Sequence, residues 1–214
     1  MAKRMYFKVS QAEDVVFEEG TCDFEYNKGF SITQKQKNIT ALHNAILIKE
    51  PNSSILEIST KSNVDLGVNL SAFNLRLYNE YLKRTVSLEN IFQSSKVFEG
   101  GGPYTDLLVV SPREAKQDMR LKNSGKLIGF YYSNTLWDTT PKTLFYDWLY
   151  INALHQNKEL SQEVMSYNIF TDIEFNHNKS INCQARSAAI YVSLRKKGII
   201  QQVLDNYKLL STVY

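Results

Sequence analysis

The sequence is poor in cysteine and histidine, and it lacks the spacings that hold a metal ion. It contains two cysteines, Cys22 and Cys183, and three isolated histidines, His43, His155 and His177. A structural zinc site needs pairs of such ligands a few residues apart, so no metal site is predicted. Two isolated thiols form no disulfide framework, and we expect both to be reduced and buried, as is usual in cytoplasmic proteins.

Long apolar runs and nucleotide-binding glycine frames are missing as well. The first residues, MAKRMYFKVSQAEDVV, contain basic side chains but not the apolar core of a secretory signal, and no window reaches the length of a membrane span. Gly100–Gly102 resembles a phosphate-binding loop, but neither GxGxxG nor GK[ST] surrounds it. The sequence therefore predicts a cytoplasmic protein with no membrane contact, and a flexible glycine loop in place of a Walker or Rossmann site.

The overall composition is ordinary apart from its aromatic content. The 214 residues suit one domain with a real core, and the net charge of +3 permits a polyanionic ligand without demanding one. The chain contains 13 Tyr and 11 Phe, more than a core needs, so some rings are available to stack on bases although most will pack inside.

Hydrophobic periodicity and turn residues predict an α+β fold, mainly helical with short strands. The domain should span 1–214, with the strands and helix of 1–60 belonging to it. Strands are predicted at 5–9, 15–17, 24–26, 55–58, 70–77, 125–132 and, as an extended segment, 170–175. Helices are predicted at 33–48, 86–98, 160–167, 185–195 and 199–210. A further helix should begin at 112, after the capping box of Ser111 and Glu114, and another should run from an N-cap at 139–141 to about 157.

The stretch 86–98, VSLENIFQSSKVF, carries the first candidate site. Ser87 stands where an N-cap is wanted, and Glu89, Gln93 and Lys96 follow at helical spacing, so they would form one polar stripe. Glu89 would lie in the first turn, where the helix dipole favours its ionised form. Such a stripe could handle a ribose, a base and a phosphate together. By spacing alone, a solvated polar face remains the alternative.

The same stretch resembles the pattern TVEHYFQAQKF of the NADAR proteins, the NAD- and ADP-ribose-associated superfamily. Other family patterns follow in order within 70–195. LSAFNL (70–75) is similar to the family's LSNF, and SPREAK (111–116) is similar to its DPxEAK. Trp137-Asp138 followed by Lys142 is similar to WD…K, and INALHQNKEL (151–160) is similar to KFxQNPEL.

Within that superfamily, the chain resembles the branch of antitoxins found beside DarT-type DNA ADP-ribosyltransferase toxins. The resemblance runs from about Phe24 to Arg195. The strings that carry it are ITQKQK (32–37), LEISTKS (56–62), GGPYTDLL (101–108), FYDWLYINAL (145–154) and FTDIEFNHNKSINCQA (170–185).

The resemblance implies hydrolysis of an N-glycosidic bond without a cofactor. The expected substrate is DNA or RNA that carries ADP-ribose on guanine, and the expected role is that of antidote to a DarT-type toxin, which the protein could also bind. Two alternatives stay open. One is an N-glycosidase of the riboflavin pathway, and the other is a non-catalytic module that only binds ADP-ribose.

The resemblance also implies the catalytic residues. Glu89 matches the glutamate of EHYFQ, and Asp172 is the second carboxylate expected in the site. The late D…WG pattern of the family is absent, so Glu174 competes with Asp172 for the acidic position. Ala72 replaces the Asn of SNF, so the contact of that Asn is expected to move to Asn74.

The remaining candidates would bind the substrate. Lys61 and Ser62 follow a predicted strand end, where binding residues collect, although an exposed connection would look the same. Trp137 would stack on a base, and Gln93 and Lys96 would meet the sugar or phosphate. Hydrogen bonds to sugar or base edges are expected from Asn182 and Gln184.

Overall fold

The computed structural model describes residues 1–12, 14–176 and 180–211, and it confirms the α+β fold. Its strands are β1 Ala2–Val9, β2 Phe17–Phe24, β3 Ile55–Glu57, β4 Arg76–Asn79, β5 Arg84–Ser87, β6 Lys96–Phe98, β7 Leu127–Tyr132, β8 Thr135–Trp137 and β9 Ile169–Thr171. Its helices are α1 Ile32–Lys49, α2 Asp65–Asn69, α3 Leu88–Ser94, α4 Pro112–Gln117, α5 Arg120–Asn123, α6 Leu144–Gln156, α7 Lys158–Glu163, α8 Gln184–Lys196, α9 Ile200–Asp205 and α10 Lys208–Ser211, with 3₁₀ turns at Thr105–Leu108 and Val164–Ser166.

A four-stranded sheet, ordered β2-β1-β9-β3, divides the core into two parts. Strand β1 is antiparallel to β2 and β9, whereas β3 runs parallel to β9. Successive side chains of a strand point to opposite faces, and in β1 Tyr6 belongs to the smaller core with α1 while Phe7 belongs to the larger core with α6 and α8. This arrangement brings the ends of β3 and β9 together, beside the start of α8.

Helix α3 lies inside the molecule, and its polar residues are buried. The Ser87 side chain accepts a hydrogen bond from the Asn90 amide, which confirms the predicted N-cap. The Asn90 side chain donates to the carbonyls of Leu107 (2.6 Å) and Val110 (2.9 Å). The helix is therefore held at its first turn from two directions, and its polar stripe is not a solvated face.

Two predictions around this helix are wrong. The helix ends at Ser94, and Lys96–Phe98 instead pairs with β7, where Lys96 lies opposite Phe130. The predicted strand at 70–77 begins only at Arg76, because residues 70–74 form turns in which Ser71 accepts hydrogen bonds from the amides of Asn74 and Leu75. Lys96 therefore approaches the site from a strand.

Other predicted boundaries hold in part. The Ser111–Glu114 capping box and the buried helix at 185–195 are confirmed. The cap at 139–141 is wrong, since α6 begins at Leu144. The predicted strands at 15–17 and 24–26 are wrong except at Phe17 and Phe24, which are the first and last residues of the single strand β2, and the helix at 199–210 is divided into α9 and α10.

The last predicted strand, 170–175, ends at Thr171, and a turn that begins at Asp172 follows it. Of the FTDIEFNHNKSINCQA motif, residues 177–179 lie outside the described residues, and His177 is among them. In the part of the chain that the structure describes, no helix is long and apolar enough to cross a membrane.

Candidate functional site

A cleft of about 550 Å³ lies where the ends of β3 and β9 meet α3 and α8. This volume is within the usual range of small-molecule sites. Its walls combine three carboxyl groups, two lysines, hydroxyls, amides and three aromatic rings. The described residues that line it are Ser59, Thr60, Lys61, Ser71, Ala72, Phe73, Glu89, Lys116, Tyr146, Asp172, Glu174, Phe175, Ser180, Asn182 and Gln184.

Glu89 reaches the cleft from the first turn of α3 and is only 4% exposed. Its backbone N–H donates to the Ala72 carbonyl (2.9 Å), which fixes the start of the helix against the turn at 70–74. One turn later, Gln93 Nε2 donates to Glu89 Oε1 (2.8 Å). Lys116 Nζ lies 3.7 Å from the same oxygen. The carboxylate is therefore oriented by an amide and faced by an ammonium group.

Two lysines stand near Glu89 in different environments. Lys116, from α4, has a side chain that is 58% exposed, and its Nζ lies 5.1 Å from the centre of the Phe73 ring. Lys96 Nζ lies 4.8 Å from the centre of the Phe92 ring. Burial lowers the pKa of Lys96 to about 8, although the nearby Glu89 acts in the opposite direction. Near neutral pH, Lys96 is thus closer to losing its charge than an ordinary lysine.

Asp172 enters the cleft from the turn that follows β9 and is 9% exposed. Its Oδ1 accepts from the Glu174 amide (3.0 Å), and its Oδ2 accepts from Gln184 Nε2 (3.0 Å). Burial and, to a smaller extent, the enclosed carboxyl of Glu57 together raise the pKa of Asp172 to about 8. Near neutral pH, Asp172 therefore keeps its proton more readily than an ordinary carboxyl group.

Glu57 lies behind Asp172 at the end of β3 and is fully enclosed. Its carboxyl accepts hydrogen bonds from Thr171 Oγ1 (2.6 Å) and the Ile173 amide (2.8 Å). Burial raises the pKa of both carboxyl groups, so each keeps its proton to a higher pH than an ordinary carboxyl group does.

Gln184, the first residue of α8, connects the two sides of the cleft. Its Oε1 accepts from the Ala72 amide (2.8 Å), and its Nε2 donates to the Ile58 carbonyl (2.7 Å) and to Asp172. Ala72 in turn accepts the amide of Glu89, so a chain of hydrogen bonds runs from one carboxyl residue to the other. Position 72 takes part in this chain through its backbone N–H and carbonyl.

A family model described as DarT1-associated NADAR antitoxin matches residues 2–214. The chain belongs to this family. The match confirms the predicted branch of the superfamily and associates this antitoxin with a DarT1 toxin. No match was found among the curated proteins.

The structure brings six of the predicted site residues of the NADAR antitoxin into the cleft: Lys61, Glu89, Asp172, Glu174, Asn182 and Gln184. Gln93 and Lys96 are not among the lining residues and stand behind Glu89. Of the two late acidic residues, Asp172 is buried, whereas the Glu174 side chain is 47% exposed and forms an ion pair with Lys35 (2.9 Å). Asp172 therefore occupies the inner acidic position.

Three predicted site residues lie outside the cleft, and their side chains instead contact other residues of the folded chain. Trp137 is buried in an aromatic cluster, with ring centres 4.7 Å from Trp148 and 4.0 Å from Tyr207. Ser62 Oγ accepts from the Val64 amide (3.2 Å). The side chain of the third, Asn74, donates to the Val68 carbonyl (2.9 Å), so it does not replace the family's Asn at position 72.

Sequence reasoning missed several lining residues of this antitoxin. Lys116 belongs to the SPREAK motif, which assigned it no role, and Tyr146 lies inside FYDWLYINAL without a distinct signal of its own. Phe73 and Phe175 place aromatic rings in the cleft, where the sequence had indicated Trp137 as the stacking residue. Among the described residues, no group of His, Cys, Asp and Glu is arranged to hold a metal ion.

Proposed function

We propose that this NADAR antitoxin hydrolyses the N-glycosidic bond between ADP-ribose and a guanine base of nucleic acid. In this way it would reverse the modification made by a DarT1-type toxin. The observation that carries the proposal is that Glu89 and Asp172, two carboxyl groups with opposite kinds of neighbour, line one cleft. The family match supports the antitoxin role.

The first step would break the bond between C1 of the ribose and the guanine nitrogen. Such a reaction passes through a transition state with positive charge on the ribose, as in glycoside hydrolysis. The Glu89 carboxylate, oriented by Gln93, would stabilise that charge. Because the charge is mainly present in the transition state, this interaction accelerates the reaction more than it tightens substrate binding.

Asp172 would act as the general acid. As the bond breaks, its electron pair stays on the guanine nitrogen, and the proton of Asp172 transfers to that nitrogen. Water then adds to C1 of the ribose, and the proton that the water loses returns to a carboxylate of the site. The products are free ADP-ribose and an unmodified guanine. This assignment follows from the raised pKa of Asp172, which supplies a proton at neutral pH.

The rest of the cleft would hold the ADP-ribose. Lys61, on the loop after β3, is suited to the diphosphate, and the amide of Asn182 is suited to sugar hydroxyls. Phe73 and Phe175 offer faces for a base, because aromatic rings stack on purines without a sequence requirement. Lys116, 3.7 Å from Glu89 Oε1, is placed to contact a phosphate or sugar oxygen of the ligand.

The test uses a short oligonucleotide that carries ADP-ribose on one guanine. Incubation with the purified protein should release ADP-ribose and return an oligonucleotide with the mass of the unmodified strand. An abasic strand would mean that the wrong glycosidic bond is broken. Tight binding without any cleavage would favour an ADP-ribose-binding module, and cleavage of a pyrimidine riboside phosphate alone would favour the riboflavin-pathway reaction.

A further inference from the structure

A second, shallower groove of about 490 Å³ runs along the outward side of α1. Thr33, Lys37, Thr40 and Asn44 follow one another at helical spacing on this side, and other amide side chains complete the lining. Apart from Ala41, the described residues of the groove are amides, hydroxyls and one ammonium group. The groove therefore presents hydrogen-bonding groups, and it includes Thr33, Gln36 and Lys37 of the ITQKQK motif, which do not line the cleft.

The groove and the cleft share a wall. Lys61 lines the cleft, and Asn63, two residues later on the same loop, lines the groove and donates to Thr40 Oγ1 (3.4 Å). On the α1 side, Lys35 of ITQKQK forms its ion pair with Glu174 at the cleft (2.9 Å). A chain molecule with one unit in the cleft could therefore continue directly into the groove.

Exposed aromatic rings stand at the start of α1. Phe30 is 97% exposed, so its ring does no packing within the chain, and Tyr26 is 38% exposed. Lys28 lies between them in the sequence and is also exposed. Residues 25–37 contain three lysines and a single carboxylate, Glu25. Exposed rings interleaved with lysines are the combination by which proteins bind single-stranded nucleic acid.

We propose that this groove binds a single-stranded nucleic acid on one side of the modified guanine, with phosphates along α1 and a base on Phe30. The proposal rests on the proposed function, because it supplies the polymer to which the guanine in the cleft belongs. Lys, Ser, Thr, Asn and Gln side chains are among the groups that contact phosphates in complexes with nucleic acid, and this lining consists mainly of such residues. Enzymes that act on a base need it outside the duplex stack, and a single strand meets that need.

A protein partner, such as the toxin, fits the groove less well. The buried centre of a protein interface is apolar and depleted of charge. Here the apolar side chain in the lining is Ala41, and the groove is otherwise polar. Phe30 lies three residues before Thr33, the first α1 residue of the groove, and its exposed ring is available to a base without the apolar surroundings that a protein interface needs.

The first experiment measures binding of an unmodified single-stranded oligonucleotide of about 12 nucleotides at several salt concentrations. Phe30→Ala should weaken binding roughly tenfold, the scale of losing one stacked base. Lys37→Gln should weaken binding at low salt. It should also reduce the steepness of the plot of log K against log salt concentration by about 0.7, the value for one phosphate contact on a single strand. Tyr81→Ala and Lys158→Gln are the matched controls, since both residues are exposed and belong to other parts of the surface.

The second experiment separates the groove from the cleft. The ratio of kcat/KM for a modified oligonucleotide to that for ADP-ribosylated guanosine should fall about tenfold in Phe30→Ala, since only the longer substrate reaches the ring. The Glu89→Gln protein should bind the unmodified oligonucleotide like the native protein. If no substrate is cleaved at all, the proposed function fails, and the binding measurement still decides the role of the groove.

Three outcomes would overturn the groove proposal. The first is a native protein that does not bind the unmodified strand. The second is Phe30→Ala and Lys37→Gln proteins that lose no more affinity than their controls. In the third, these variants lose binding to the toxin but keep the oligonucleotide, which would make the groove a protein-docking surface.

Discussion

Glu89 and Asp172 are both nearly inaccessible to solvent, yet their surroundings differ in the sign of the neighbouring charge. The nearest charged group to Glu89 is the ammonium of Lys116, 3.7 Å away, and the Gln93 amide donates to the same oxygen. Asp172 also accepts an amide from Gln184, but its charged neighbour is the enclosed carboxyl of Glu57, which raises its pKa.

This comparison shows that burial alone does not determine the form of a carboxyl group. At Asp172 a neighbouring carboxyl adds to the effect of burial and raises the pKa, whereas Glu89 has an ammonium group and an amide donor beside it. A pair whose surroundings differ in this way can divide catalysis between an acid and an electrostatic stabiliser. The following predictions test that division, beginning with the largest effect.

Glu89→Gln should lower kcat for release of ADP-ribose by roughly 100-fold or more, the scale of losing one preorganised electrostatic group. The amide keeps the size and hydrogen-bonding reach of the side chain but removes the charge. Binding of free ADP-ribose, which has no cationic centre, should change far less. Glu159→Gln, on the surface of α7, is the matched control, and calorimetry would measure the ligand affinity.

Full activity of the Glu89→Gln protein would exclude the proposed role of that carboxylate. A parallel loss of ligand affinity and activity would mean that Glu89 binds the ground state of the substrate.

Asp172→Asn should lower kcat by about 10²-fold, because the variant has no proton to donate. In the native protein, activity should also decline as the pH rises through about 8, where Asp172 loses its proton. The variant should lack this decline, and pH profiles of kcat would measure it. A variant that retains the same alkaline decline would show that another group causes it.

The same residue should make stability depend on pH. A carboxyl of an unfolded chain releases its proton near 3.8, whereas folded Asp172 keeps its proton up to about 8. The folded state thus binds more protons between these values, and its free energy of unfolding should fall as the pH rises through them. The native protein should lose this stability between pH 5 and pH 8, whereas Asp172→Asn has no proton to lose. Relative to the native protein, the variant should therefore gain on the order of a few kcal/mol over this range. Urea titrations of both proteins at both pH values measure this gain, and parallel pH dependences would contradict the assignment.

Lys96→Met should leave the alkaline decline of kcat in place. The pKa of Lys96 is also about 8, so its titration is the natural rival to that of Asp172. The Met side chain is close in length and can keep the contact with Phe92. The measurement is the pH profile of kcat in this variant. If the decline disappears in Lys96→Met and persists in Asp172→Asn, the lysine and not the acid is the titrating group.

The sequence predicted best those features whose causes are local. A Ser followed by a polar residue three positions later was sufficient for the caps at Ser87 and Ser111, since a cap is formed within four residues. The end of α3 was different. Lys96–Phe98 suits a helix or a strand, and the decision depends on β7, some thirty residues later in the chain.

The site was predicted where the family motif names a residue, and missed where tertiary packing decides. Glu89 and Asp172 were expected, and both line the cleft. The sequence did not indicate that Glu57 lies behind Asp172, because the parallel pairing of β3 with β9 creates that neighbourhood. It also did not indicate that Trp137 packs on Trp148 and Tyr207, since a buried indole and a stacking indole look the same in a sequence.

The three hydrogen bonds of Gln184 have a consequence for synthesis of the protein. They join Ile58, Ala72 and Asp172, and the first two partners precede Gln184 by 126 and 112 residues. A ribosome releases those partners long before it reaches residue 184, so the nascent chain has both walls of the cleft without the residue that connects them. Fragments that end before Gln184 should therefore be inert as antidotes. The cleft should therefore be completed only after the ribosome has added the residues that separate Ile58 and Ala72 from Gln184.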